Sequence, residues 1–348
     1  MRENVRVIIW GFGAMGSGMA DMLLSKKGVD IVGAVGGTNS KVGKSMYDVI
    51  ETPRGDRPEV IIGKAEDIIK EGAADIVLVC TDSFTKNVFP RLKLVMEQKI
   101  NVITCAEEMA YPQAQQPELA KELDEIAKAN GVTVLGTGIN PGLIMDLLVV
   151  IMTGCCRSVE HILSKRVNSL SPFGPTVMEE QGIGITKDDF INGVKTGKLS
   201  GHVGFPESAG MIADAIGWEI DKLEQSMNPI MTDVDRKSPY GFAKAGNVAG
   251  CSMEATAYSN GKEIIKMEHP QQIEPEQVGI STGDYVIIKG DPNINMINSP
   301  EVPGGIGTIA MCVNMIPHVI NANPGLHTML DLPVPRAIMG DFRDLIKV

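Results

Sequence analysis

Two adjacent acids, Glu107 and Glu108, follow the β-rich run Asn101-Val102-Ile103-Thr104-Cys105 after one alanine, Ala106. Near the start of the chain another apolar run, Val5 to Trp10, leads into Gly11-Phe12-Gly13-Ala14-Met15-Gly16 and then into a stretch of helical period. Between a strand and a helix that glycine spacing has a physical meaning. Gly11 permits a tight turn, Gly13 lets backbone approach an anion, and Gly16 lets helix and strand pack closely, while the first N–H groups of the helix face the anion. The anion it fits is a pyrophosphate, so the Gly11 to Gly16 loop, with Phe12, Ala14 and Met15, is assigned to a dinucleotide. A carboxylate at the end of a later strand can hold an ammonium group, remove a proton or orient a water, and all three operations belong to amine oxidation.

Dinucleotide sites that select NAD place an acid about 20 residues beyond the glycine loop, where it binds the ribose 2′-hydroxyl. Here the segment reads Ala34-Val35-Gly36-Gly37-Thr38-Asn39-Ser40-Lys41 and holds no acid. Nothing there repels a 2′-phosphate, and Thr38, Asn39, Ser40 and Lys41 can donate to one. NADP is therefore expected to bind, with NAD also possible. At the end of the Ile76-Val77-Leu78-Val79 run, Cys80 and Thr81 are expected near the nicotinamide half.

Further along the chain, Asn140 in Gly138-Ile139-Asn140-Pro141-Gly142 follows the Val132 strand, and its amide can face either the cofactor or the substrate; Asn-Pro also opens ordinary turns. Arg166 and Asn168 end a strand and can clamp a substrate carboxylate, a task suited to a bidentate guanidinium. His202, in Gly201-His202-Val203-Gly204, and His269, before Pro270, are the remaining substrate-side candidates. None of the five histidines shows a metal-binding spacing, and no metal is expected.

These residues need a scaffold. From Val5 to about Thr137 short apolar runs alternate with helical stretches, Ala14 to Lys27, Phe84 to Gln98 and Pro117 to Asn130, which predicts a doubly wound parallel sheet. After Gly136 the rhythm changes. Helices are expected over Gly142 to Thr153, Asp188 to Thr196 and Glu207 to Trp218, and strands over Ser158 to Val167, Ala249 to Ser259, Glu263 to Met267 and Asp284 to Lys289, an α+β pattern. Gly304 to Ile320 reads as an apolar helix interrupted near Pro317. The expected organisation is a Rossmann domain over 1–138, an α+β substrate and dimerisation domain over 139–303, and a segment 304–348 that returns to the first.

Composition narrows the class. With 32 Lys and Arg against 43 Asp and Glu, the chain carries a net charge of -11 and has no basic run, which argues against a nucleic-acid partner. The longest apolar stretch, Leu143 to Thr153, is too short to span a bilayer and contains Asp146. Six cysteines without zinc spacing read as reduced thiols, and the N-terminus leads straight into a strand, so a cytoplasmic protein is expected.

Four segments taken together, the glycine loop, Ile103-Thr104-Cys105-Ala106-Glu107-Glu108-Met109-Ala110-Tyr111-Pro112, Gly138 to Gly142, and Gly201-His202-Val203-Gly204-Phe205-Pro206-Glu207-Ser208, resemble the 2,4-diaminopentanoate dehydrogenase family. Its native amine dehydrogenase relatives share a domain layout with dihydrodipicolinate reductase and homoserine dehydrogenase. The resemblance implies NAD(P)-dependent oxidative deamination of (2R,4S)-2,4-diaminopentanoate to 2-amino-4-oxopentanoate and ammonia, a step of ornithine degradation. It also implies a homodimer. Glu107 stands where homoserine dehydrogenase carries a lysine, and an acid suits a cationic amine; the paired histidines of dihydrodipicolinate reductase are absent. Spacing leaves both glutamates open as the proton acceptor, with Glu108 the favoured one. Two other readings are a reductase of a cyclic imine or semialdehyde, and a non-catalytic nucleotide sensor.

Overall fold

Strands that are apolar on both sides must have both faces of their sheet covered, and the first unit of the structure does this with helices. The structure is a computed structural model that describes residues 3–36 and 39–347. It divides into two units, Met1–Leu143 with Gly304–Val348, and Ile144–Pro303. The first unit holds β1 (Val5–Trp10), β2 (Val29–Val35), β3 (Ile62–Gly63), β4 (Ile76–Val79), β5 (Asn101–Thr104), β6 (Thr133–Gly136) and the late strand β15 (Gly325–His327). All pair in parallel, in the order β15-β6-β5-β4-β1-β2-β3. Read from β3 to β6 this is the 3-2-1-4-5-6 order of a doubly wound dinucleotide-binding sheet, with β15 added beyond β6.

Helices α1 (Ala14–Leu24), α4 (Thr85–Glu97), α5 (Pro117–Asn130) and α10 (Gly304–Ile320), with the short α2 (Met46–Ile50) and α3 (Ala65–Ile68), complete the unit. Ile8, Trp10, Val77, Val79, Val102 and Val134 form one core with Val88, Leu92 and Val95 of α4 and Leu123 and Ala127 of α5. The alternate residues Val7, Ile9, Leu78, Ile103 and Leu135 are equally buried, under α1 and α10. Those two helices pack together, and Gly18 makes room for Ile309, whose side chain would lie 2.2 Å from a Cβ there. The helix expected to break near Pro317 runs through it to Ile320. Proline removes one N–H close to the helix end, and the last turn still closes, with the Asn321 N–H on the Pro317 carbonyl at 3.1 Å.

The second unit contains α6 (Leu147–Thr153), β7 (Ser158–Ser169), α7 (Pro175–Glu180), α8 (Lys187–Lys195), α9 (Phe205–Ile216), β8 (Lys222–Met231), the short pair β9 (Arg236–Lys237) and β10 (Phe242–Ala243), β11 (Val248–Ser259), β12 (Lys262–Gln272), β13 (Gly283–Asp291) and β14 (Ile294–Asn298). Its main sheet runs β14-β13-β7-β12-β11-β8, antiparallel except where β7 meets β12. The sequence reading missed β3, β8, β14 and β15, which are short or polar on one side. It also began α6 too early: Gly142 adopts φ +126°, and the helix starts only after Asp146, whose Oδ1 accepts the Leu147 N–H at 2.6 Å. Conversely β12 continues five residues past Met267. Its ladder to β7 skips His269 and Pro270 and resumes at Gln271, because proline has no N–H to give.

One close approach fixes the end of β5. Residues Glu107–Ala110 form a 3-10 turn lying on β6, where a Cβ on Gly136 would sit 2.0 Å from the Met109 carbonyl oxygen. Gly136→Ala is expected to cost roughly 1–3 kcal/mol by overpacking and to displace the turn that carries the two glutamates. A urea midpoint unchanged from wild type would contradict this reading of the contact.

Candidate active site

In the first unit the sequence-predicted residues gather at the carboxyl ends of the parallel strands, the edge where doubly wound sheets bind ligands. The glycine loop leaves β1 with the Gly11 N–H on the Val35 carbonyl at 2.9 Å. Gly11 has φ +101°, and a Cβ there would lie 2.5 Å from the Cys80 carbonyl oxygen; one on Gly16 would lie 1.8 Å from the Gly11 oxygen. Gly13 is the opposite case, with no atom within 4 Å of a Cβ position. Gly13 also caps α1, and no side chain bonds to that helix end. Open space beside an uncapped helix N-terminus fits a pyrophosphate. Ala14 is exposed and Met15 half-buried beside it, while the Phe12 side chain is buried and only its backbone faces the loop.

The adenosine-side candidates divide. The Gly36 N–H is taken by the Gly63 carbonyl at 3.1 Å. Lys41 folds back over the loop and its Nζ donates to the Phe12 carbonyl. Thr38 lies outside the described residues, as does the Asn39 side chain.

At the end of β4, the Thr81 Oγ1 is buried without a hydrogen-bond partner. The Cys80 thiol instead packs on the Met19 sulfur at 3.4 Å. A hydrogen bond with the Cys105 thiol, and then burial, hold the Cys80 pKa well above the usual thiol range, so it is no nucleophile. All six cysteines are free thiols.

The two glutamates have different surroundings. Glu108 is buried, at 6% exposure, and its Oε2 accepts the Thr85 N–H at 2.8 Å. Thr85 is the first residue of α4, whose cap residue Phe84 offers no side-chain bond. Glu108 thus supplies from a distance the carboxylate that a helix N-terminus favours, and its own N–H is held by the Ser83 carbonyl at 3.1 Å. Glu107 is half-buried. This placement weighs against Glu108, which the sequence reading favoured, as the group that meets an amine. Asn140 follows β6 in the same unit and is half-buried, its turn tied down by the Ile139 N–H on the Thr308 hydroxyl at 3.2 Å.

In the second unit Arg166, Asn168, His202 and His269 come together on one face of the main sheet. His269 Nε2 donates to the Asn168 Oδ1 at 2.9 Å, and the His202 and His269 rings meet edge to face at 4.7 Å. Arg166 is 2% exposed and pairs with Asp284, itself 1% exposed; its second terminal nitrogen donates to the Val302 carbonyl at 2.6 Å. Burial lowers the Arg166 pKa, against the opposing charges of Asp284 and Glu301. The expected carboxylate clamp is therefore already engaged by an acid of its own domain. Sequence reasoning missed Asp284, although an acid alternating with the inward Val286 and Ile288 was a usable signal. It also missed Asp146, fully buried and bonded to the Ser208 hydroxyl at 2.8 Å.

Comparison with known proteins bears on this architecture. The sequence profile of the 2,4-diaminopentanoate dehydrogenase C-terminal domain matches residues 143–348. A curated 2,4-diaminopentanoate dehydrogenase from Acetoanaerobium sticklandii is 72% identical over 345 residues, covering 99% of this chain and 98% of that protein. The chain belongs to the 2,4-diaminopentanoate dehydrogenase family. An amine dehydrogenase from Streptomyces virginiae is 23% identical over 88% of this chain and 86% of its own. The solved amine dehydrogenase from Mycobacterium smegmatis superposes with a TM-score of 0.86 at 26% identity, covering 97% of this chain and 99% of that one. The protein is accordingly an oxidoreductase of the amine and amino-acid dehydrogenase type that uses a nicotinamide cofactor. Among the described residues no helix is long and apolar enough to cross a membrane.

The buried histidine pair has a consequence for stability. Burial, then the charge of Arg166, lowers the His202 pKa to about 3. Burial, then His202 and Arg166, holds His269 well below its usual value. Both rings are neutral in the fold, so below the ordinary imidazole pKa of 6.5 the unfolded chain binds protons the folded chain refuses. The stability from neutral burial is complete above that pH and is lost as pH falls toward the folded value. Each ring contributes a slope of up to about 1.4 kcal/mol per pH unit, less for His202, which keeps part of its surface exposed. His269→Gln is expected to flatten the dependence of melting temperature on pH below that point. A slope identical to wild type would refute the assignment.

Proposed function

We propose that this enzyme catalyses the oxidative deamination of (2R,4S)-2,4-diaminopentanoate to 2-amino-4-oxopentanoate and ammonia, as its family membership supports, and that Glu107 is the catalytic acid–base group. The observation that carries the choice of residue is the bond from the Thr85 N–H to the buried Glu108, which commits that carboxylate to the start of α4.

The residues that would hold the cofactor are the Gly11 to Gly16 loop and the N-terminus of α1 at the pyrophosphate, Thr81 at the nicotinamide half, and Gly36 with Lys41 at the adenosine ribose. When bound, the nicotinamide accepts a hydride. Glu107 takes a proton from the C4 ammonium, and the freed amine lone pair drives hydride from C4. Release of that proton to solvent restores the carboxylate, which then faces the substrate iminium, stabilises its charge and accepts a proton from the water that adds to C4. Passing that proton to nitrogen lets the carbinolamine collapse to the ketone with release of ammonia. Overall one ammonium, one water and one oxidised cofactor give one ketone, one ammonium ion, one reduced cofactor and one proton. Asn140, Arg166, Asn168, His202 and His269 are assigned to the substrate, with Arg166 acting through its pair with Asp284.

The absence of an acid after β2, and Lys41 above the glycine loop, support use of NADP as well as NAD. A homodimer through the outer face of the six-stranded sheet, cytoplasmic placement and a step in ornithine degradation complete the reading. That outer face is half-exposed and carries a charge ladder, with Lys165 on Glu268 at 3.1 Å and Lys266 on the same acid at 3.3 Å.

The assay follows reduced cofactor together with ammonia. Glu107→Gln should retain cofactor binding and lose turnover by roughly 100-fold or more, within the range general acid–base groups supply. Glu108→Ala should chiefly cost stability, about 0.5–2 kcal/mol for a lost cap; the reverse pattern would overturn the choice between them. Lys41→Ala should raise the KM for NADP about tenfold, the worth of one hydrogen bond to a charged group, with little effect on NAD. An unchanged NADP-to-NAD ratio would remove Lys41 from the site.

A further inference from the structure

Gln271 lies at the end of β12 and opposite Asn168 of β7 in the parallel ladder. Paired residues of neighbouring strands point to the same face of a sheet, so its side chain joins the row of Arg166, Asn168 and His269. The residue is 4% exposed, and its Nε2 is buried without a hydrogen-bond partner. A buried N–H donor left unpaired is costly, and an incoming acceptor recovers that cost.

Several acceptors on the neighbouring elements are already committed. The Asn168 Oδ1 accepts from His269 at 2.9 Å. On β11, Cys251 is the cross-strand neighbour of Gln271, and its thiol holds the Gln181 Oε1 at 2.7 Å. Asp284 serves Arg166, the Val302 N–H at 2.8 Å and Asn298 at 3.3 Å. The protein itself thus leaves one buried donor open on the face where the substrate-side residues assemble.

The chemistry of the ligand follows from that donor. At neutral pH the two ammonium groups of a 2,4-diamino acid can only donate hydrogen bonds, and its carboxylate can only accept them. We propose that the Gln271 side-chain amide binds the substrate carboxylate through Nε2, and that this contact, absent from the sequence reading, selects a diamino acid over a simple diamine. The proposal rests on the reading of 2,4-diaminopentanoate as substrate. Arg166 is balanced by Asp284, so a neutral donor adds recognition of the anion without a second buried cation. The position of Gln271 on a strand flanked by two others holds that donor in place before substrate arrives.

The test compares wild type, Gln271→Leu and Gln271→Glu on 2,4-diaminopentanoate and on 1,3-diaminobutane, the same diamine without the carboxyl group. Gln271→Leu should raise the KM for the diamino acid about tenfold or more, the range for a hydrogen bond to a charged group, with kcat much less affected. The preference for diamino acid over diamine, as a ratio of kcat/KM, should fall by a similar factor. Its melting temperature should not drop, because an unpaired buried donor has been removed. Gln271→Glu should raise KM further by repelling the carboxylate. An unchanged preference in Gln271→Leu with normal wild-type turnover would overturn the role of Gln271 alone, as would tighter substrate binding by Gln271→Glu, which would mean that the position meets an ammonium. Wild type that releases no ammonia from the diamino acid would overturn the substrate reading beneath it.

Discussion

The carboxylate of Glu108, held by the first N–H of α4, sets the orientation of the turn that follows β5. A helix N-terminus carries partial positive charge and unsatisfied donors, and here the charge that answers it comes from a residue 23 positions downstream. The bond ties the end of one strand to the start of the helix that follows its neighbour. It also makes two adjacent, chemically equivalent side chains unequal. One is buried and holds a helix end, and the other is half-buried beside it.

The glycines of the first unit act through the same kind of constraint, from the opposite direction. At Gly11, Gly16 and Gly136 backbone passes so close to backbone that no Cβ can be accommodated. At Gly13 the space is open. The contrast separates glycines that let the protein pack on itself from the one that leaves room for a ligand, a distinction the GxGxxG spacing implies but cannot demonstrate. In the second unit, burial does similar sorting among polar groups. Arg166 and Asp284 neutralise each other, His269 and Asn168 satisfy each other, and the imidazoles stay uncharged because water is excluded and Arg166 is near.

Much of this was legible in the chain. Strands β1, β4, β5 and β6 of the first unit came within a residue or two of their observed bounds, since a parallel sheet covered on both faces demands unbroken apolar runs, and few other structures do. Arg166 and Asn168, more than 100 positions from His269, were selected with it and with His202 by residue type, and the four are found together. Errors clustered where local pattern is weak. Strand β8 is exposed along much of its length, β14 and β15 are short, and β12 passes through a proline that sequence reasoning treats as an end.

What the amino-acid order determined by itself was the kind of site: a glycine loop between strand and helix, no acid to exclude a 2′-phosphate, and carboxylates where an amine can be oxidised. Periodicity and residue chemistry are local properties, and they survive without coordinates. What only the tertiary structure decided was which members of each set are already engaged. Whether Glu107 or Glu108 is spent on a helix end, whether Arg166 already has a counter-ion, and whether Gln271 has an acceptor all depend on groups far away in the chain. Hydrogen bonds and buried charges are settled by proximity after folding, and neither spacing nor composition records it.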